Sequence, residues 1–176
     1  MNVYYAYKDK SQSHKMLLYI LDRFYGVKAD ESDISLSPNG KPFIAKSDLY
    51  FNITHTDGLI MTAVSRFPVG IDAEWIFRKA DERGIAEKYY SEAEREQIKT
   101  SKHFYVLWTK KESAIKYADL TLASALKKTS FRGEAPTGFE EYDGAITRSY
   151  AFDDYVYSIT AKVEEFKEKI NPVYIM

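Results

Sequence analysis

The stretch Val69-Gly70-Ile71-Asp72-Ala73-Glu74-Trp75 carries the period of a β-strand. Its apolar residues Val69, Ile71, Ala73 and Trp75 alternate with Gly70, Asp72 and Glu74. Alternation sends Asp72 and Glu74 to one face, opposite the apolar one. Two neighbouring carboxylates repel, so a raised pKa or a shared cation is expected. Oxygen ligands on a rigid strand suit a hard divalent ion such as Mg²⁺, which takes further ligands from water and substrate phosphate. A solvated strand face is the plainer reading of such a triplet in isolation, so the flanking chain has to decide.

Upstream of this strand, residues 2–7 read as a tyrosine-rich strand. A helix capped by Ser11 or Ser13 then runs to about Tyr25, with Met16, Leu17, Ile20, Leu21 and Phe24 as its apolar stripe and Gly26 as its stop. Residues 29–33 read as an acidic loop, 34–36 as a short strand, and 37–42 as a turn. Residues 49–55 and 59–65 form a hairpin around Thr56-Asp57-Gly58. Downstream, helices are predicted over 81–89, 92–99 and 102–118, with a short turn over 121–127. Residues 128–144 read as loop and weak strand, 146–152 and 155–162 as a hairpin, and 172–176 as a strand-like tail after a charged segment. Strand, helix and hairpin thus occur twice, dividing near residue 67. The expected class is α+β, with an N-terminal half over 1–67 and a C-terminal half over 68–176 that carries the acidic strand.

Composition narrows the chemistry. The 176 residues are 45% hydrophobic and 15% aromatic, which suits an ordered globular chain. A net charge of −1 makes duplex nucleic acid a poor partner. The absence of cysteine removes disulfides, thiolate catalysis and Cys-ligated zinc, and His14, His55 and His103 lack zinc spacing. No apolar run suits a signal core or a membrane span, so a cytoplasmic chain is expected.

A second cluster lies on the helix predicted over 102–118. At about 100° per residue, Phe104, Leu107, Trp108, Ala114, Ile115 and Ala118 share a face with Lys111 in its middle. Glu112 and Lys116, four apart, line the edge of that face. A lysine inside an apolar stripe either snorkels or meets an anion. With Asp72, Glu74 and Lys41, these residues supply what phosphate chemistry needs: cation ligands, positive groups and a base.

Five motifs follow in order: Gly40-Lys41-Pro42, Phe51-Asn52-Ile53-Thr54-His55-Thr56, Gly70-Ile71-Asp72-Ala73-Glu74, Tyr89-Tyr90-Ser91-Glu92-Ala93-Glu94, and Trp108-Thr109-Lys110-Lys111-Glu112-Ser113-Ala114-Ile115-Lys116. The succession resembles the Sfp-type 4′-phosphopantetheinyl transferases, which move the phosphopantetheine arm of coenzyme A onto a serine of an acyl or peptidyl carrier protein. The resemblance spans residues 40–116 and implies two similar α+β halves with the site between them. By resemblance, Asp72, Glu74 and Glu112 hold Mg²⁺ on the pyrophosphate, and Glu112 takes the proton of the acceptor serine. Lys116 serves the leaving 3′,5′-ADP, and Lys111 holds a phosphate. Lys15, Lys41 and His55 contact the nucleotide phosphates, Gly40 and Pro42 shape the adenine pocket, and Thr54 stands where serine is usual, as does Thr56. Glu94 fits the pattern too, but Ser91 with Glu94 is a capping box in its own right. The family's usual Gly-x-Gly-Leu after the lysine motif is replaced by Asp119-Leu120-Thr121-Leu122. A monomer is the simplest expectation for two halves in one chain. The competing readings are a non-catalytic relative that binds coenzyme A or a carrier, and a Mg²⁺-dependent nucleotide phosphodiesterase.

Overall fold

Period-two patterning and turn residues place the strands close to their predicted bounds in the computed structural model, which describes residues 1–176. In chain order the elements are β1 (Asn2–Tyr7), α1 (Ser13–Tyr25), β2 (Ile34–Leu36), β3 (Pro42–Ile44), β4 (Tyr50–Thr56), β5 (Leu59–Ser65) and β6 (Val69–Trp75). Then come α2 (Glu82–Tyr89), α3 (Glu92–Glu96), α4 (Ser101–Tyr117), α5 (Leu122–Ala125), β7 (Ser130–Arg132), β8 (Ala135–Thr137), β9 (Ala145–Phe152), β10 (Tyr155–Lys162) and β11 (Val173–Tyr174). No helix is long and apolar enough to cross a membrane.

Helix α1 buries Met16, Leu17, Ile20 and Leu21 and ends at Gly26, whose φ of +68° makes the left-handed cap. Its start differs from expectation. Asp9 caps a short 3₁₀ turn over Lys10–Gln12 that feeds the helix, and Ser13 lies inside, donating to the Lys10 carbonyl. Phe24 turns to the exposed side.

Two sheets dominate, one in the order β11-β1-β5-β4 and one in the order β6-β10-β9. Val3, Leu59, Met61 and Ala63 of the first pack against Val69, Ile71, Ala73 and Ile159 of the second. The opposite face of the first sheet, with Tyr4, Ala6 and Ile60, packs on α1. Strand β5, buried along its whole length, lies in the middle, as its unbroken apolar run requires. The class is mixed α+β.

Helix α4 lies against β6, β10 and β9, and its backbone closes directly onto Gly70. A Cβ built on Gly70 would sit 2.0 Å from the Ser113 carbonyl oxygen and 2.5 Å from the Tyr117 amide nitrogen, so only glycine admits the helix there. Hydroxyl chains fill the rest of the seam: Thr109 bonds Ser158 at 2.8 Å, Ser113 bonds Thr160 at 3.0 Å, and Thr147 bonds Thr160 at 2.8 Å. These paired hydroxyls explain why α4 is buried on more than the single stripe expected.

A different device joins the two sheets at the β4–β6 edge. The amides of Ile71, Ala73 and Trp75 donate to the side chains of Asn52, Thr54 and Thr56, at 2.9, 3.3 and 3.4 Å. Every second residue of β4 therefore satisfies an amide on the edge of β6, where strand pairing would otherwise be needed.

Candidate active site

The β4 hydroxyls bond the two acids of β6 as well as its amides. Thr54 Oγ1 donates to Asp72 Oδ1 at 3.1 Å, and Thr56 Oγ1 donates to Glu74 Oε2 at 3.0 Å. Both carboxylates are buried. The approach of α4 at Gly70 brings Glu112 and Lys116 to the same place. Lys116 Nζ stands 2.5 Å from Asp72 Oδ1 and 3.5 Å from Glu112 Oε2. Thus the structure brings together Asp72, Glu74, Glu112, Lys116 and Thr54.

Burial raises the pKa of Glu112 to about 8, with repulsion from Asp72 adding to it and Lys116 opposing. Glu74 is raised by burial and by Asp72, against the pull of Arg78. For Lys116, burial works downward, but the Asp72 and Glu112 carboxylates outweigh it and hold the ammonium charged. Arg78 was invisible to sequence patterning, since it lies beyond the strand in no regular element. Its guanidinium reaches both Glu74 oxygens, at 2.8 and 2.9 Å.

The site suits a divalent cation in its chemistry. It offers three carboxylates and no competing thiolate or imidazole, and Asp72 Oδ2 is buried without a hydrogen-bond partner. As they stand, no three acidic or histidine side chains are close enough to hold one ion. Lys116 and Arg78 occupy the carboxylates instead.

Two lysines depart from expectation. Lys111 is 1% exposed, and its ammonium lies 3.1 Å from Glu94 Oε1 and 2.5 Å from the Thr129 carbonyl. It is an inner cation, enclosed by protein oxygens. Glu94 closes the capping box with Ser91 and also faces Lys111, so its structural role is larger than the cap. Lys41 Nζ donates to the carbonyls of Val69, Lys116 and Tyr117, at 3.1, 2.6 and 3.3 Å, which leaves it committed to backbone. Burial lowers its pKa to about 8.

The remaining predicted contacts gather around an open cleft of about 860 Å³ that Lys10, His14, Lys15, Pro42 and His55 line. Of its basic residues, His14 is paired, with Glu31 at 2.6 Å. His55 follows Thr54 on β4, so one strand supplies both the cleft and the support of Asp72. Gly40 makes the β2–β3 turn at a φ of +89°. Pro42 lines this cleft and a second one of about 590 Å³, whose walls include Phe43, Tyr50 and Tyr117.

Residues 68–160, which carry β6, α4 and the β9–β10 hairpin, match the 4′-phosphopantetheinyl transferase superfamily. The chain is 31% identical over 159 residues to a 4′-phosphopantetheinyl transferase of Bacillus subtilis, covering 83% of this chain and 70% of the relative. It is 32% identical over 138 residues to the transferase Sfp of Bacillus subtilis strain 168, covering 70% of this chain and 60% of that one. The transferase gsp of Aneurinibacillus migulanus is 42% identical over 84 residues, 44% of this chain and 34% of its own. A superfamily match over the acidic strand and the lysine helix, with a relative matched over most of both chains, settles descent: this chain belongs to the 4′-phosphopantetheinyl transferase superfamily.

Proposed function

We propose that the protein transfers the 4′-phosphopantetheine group of coenzyme A to a serine of an apo acyl or peptidyl carrier protein. The observation that carries this reading is the joining of Asp72, Glu112 and Lys116 at the β6–α4 contact, in a chain of this superfamily. The serine oxygen forms a new bond to the β-phosphorus of coenzyme A, and the bond from that phosphorus to the bridging oxygen breaks, releasing 3′,5′-ADP. Asp72, Glu74 and Glu112 would hold Mg²⁺, which when bound withdraws charge from the pyrophosphate oxygens. Glu112, whose pKa burial and Asp72 raise, would serve as the base for the serine proton when positive charge favours its ionised form. Lys116 is the cation that Asp72 and Glu112 share and would neutralise the departing phosphate. Lys15 and His55 face the cleft that would receive the nucleotide phosphates, with Pro42 beside them.

The order β1-β5-β4 in one sheet and β6-β10-β9 in the other supports reading residues 1–67 and 68–176 as two similar halves, with β11 of the second crossing back to pair with β1 of the first. Since β4 of one half supports the acids of the other, one chain supplies a whole site and a monomer suffices.

The test is release of 3′,5′-ADP from coenzyme A, followed with and without an apo carrier, with and without EDTA, and in Asp72→Ala and Glu112→Ala variants. Release should require the carrier and Mg²⁺ and vanish in both variants. Release without any carrier would favour a phosphodiesterase. Coenzyme A binding without release would favour a non-catalytic binder.

A further inference from the structure

The turn between β2 and β3 does more than connect them, and its contacts run to the far end of the site helix. Lys41 sends its ammonium to three carbonyls, of which those of Lys116 and Tyr117 belong to the last turn of α4. Carbonyls at a helix C-terminus lack intrahelical partners and carry the negative end of the dipole, so a cation there both caps and holds the helix. Ser37 and Asn39 add to this. Ser37 Oγ donates to Asp119 Oδ1 at 2.9 Å, and Asn39 Nδ2 donates to the Asp119 carbonyl at 2.6 Å. The same Ser37 Oγ accepts from the Lys41 amide at 3.0 Å, so turn and helix end form one hydrogen-bonded unit. Asp119 occupies left-handed backbone at φ +53°, a conformation that the short polar side chain tolerates and its bond to Ser37 fixes.

We infer that residues 37–41 form a clamp on the C-terminal turn of α4, in which Lys41 and Asp119 are positioning residues that hold Lys116 against Asp72. The inference rests on the transferase reading for its consequence in turnover, but not for the clamp itself. Lys41 and Lys116 meet through the Lys116 carbonyl, one residue's length from the ammonium that bonds Asp72. Loosening the last turn of α4 moves that ammonium, whereas none of residues 37–41 lines the cleft of Lys15 and His55.

Lys41→Met keeps the apolar stem and removes the three bonds, while Lys41→Arg keeps donors for the carbonyls. Asp119→Gly keeps the left-handed backbone and removes the bond to Ser37 together with the negative charge beside Lys41. Each is compared with wild type for kcat, for KM of coenzyme A, and for amide hydrogen exchange over residues 113–119. The clamp predicts that Lys41→Met lowers kcat by about tenfold or more, in keeping with the cost of small displacements of reacting groups. KM for coenzyme A should stay within about twofold, exchange over 113–119 should accelerate, and Lys41→Arg should recover part of kcat. Asp119→Gly should act in the same direction, less strongly. A Lys41→Met protein with kcat intact and KM raised about tenfold would make Lys41 a ligand contact and overturn the clamp. Unchanged exchange over 113–119 would overturn it equally, and that measurement needs no turnover. Wild-type protein lacking transfer would refute the transferase reading while exchange still decided the clamp.

Discussion

The contact between Gly70 and helix α4 fixes the site, and its strength can be worked out from the distances. Gly70→Ala places a methyl 2.0 Å from the Ser113 carbonyl oxygen and 2.5 Å from the Tyr117 nitrogen. Carbon and oxygen ordinarily approach to about 3.3 Å. The helix must therefore retreat by roughly 1.3 Å, because both obstructing atoms are backbone and cannot rotate away. The φ of Gly70 is not in the left-handed region, so the cost comes from packing and not from torsion. Overpacking of this kind destabilises by about 3 kcal/mol, the upper end of the usual range. For a chain of this size that lowers Tm by about 6–12 °C. Activity should suffer more than stability. The 2.5 Å contact of Lys116 with Asp72 spans the seam that opens, and displacements near 1 Å cost about 100-fold in rate. Thermal unfolding by circular dichroism and transfer to an apo carrier below the variant's Tm measure the two effects separately. A Gly70→Ala protein melting within about 2 °C of wild type, with full turnover, would refute the argument that this approach positions the site.

Other perturbations have definite signs. Lys111→Met leaves Glu94 buried beside no cation and should cost about 3–5 kcal/mol in chemical denaturation; adding Glu94→Gln should restore part of it, and a double variant no better than the single would contradict the pairing. Thr56→Val removes both the donor to Glu74 and the acceptor of the Trp75 amide, so a loss of about 1–3 kcal/mol is expected, whereas an unchanged denaturation midpoint would show that β4 does not support β6. Glu112 gives a pH dependence. Its folded pKa of about 8 lies above the ordinary carboxyl value of 4.5, so across that window the folded state keeps a proton that the unfolded state has lost. The contribution of Glu112 is fully present below the lower value and declines as pH rises through the upper one. Stability of the metal-free protein should therefore fall with rising pH relative to Glu112→Gln, and a relative rise would be the wrong sign.

Much of this architecture was legible because it obeys local rules. Strand β5 is a continuous apolar run between turn residues and takes its predicted bounds, and the acids of β6 share the face that alternation assigns. Glu112 and Lys116 were legible from helical spacing. Features set by tertiary contact were not. Lys111 looked available for an anion because helical geometry cannot show that Glu94 and the 126–129 segment enclose it. Lys41 lies in a turn, where nothing in sequence says that the end of a helix 75 residues away needs a cation. The seam hydroxyls Thr109 and Ser113 read as polar interruptions of a helix until their partners on β10 are known. Helix α3 stops at Glu96, short of the predicted Lys99, since Thr100 must cap α4 and the chain has to turn before it. The alternating Asn52, Thr54 and Thr56 were a readable signal, because polar residues at period two on a buried strand need partners.

The most direct test of the account is the intact mass of an apo acyl or peptidyl carrier protein after incubation with this protein, coenzyme A and Mg²⁺. The expected result is a gain of one phosphopantetheine on the carrier, lost when its acceptor serine is replaced and lost when Asp72→Ala protein is used. A carrier of unchanged mass, under conditions where the protein demonstrably binds coenzyme A, would contradict it.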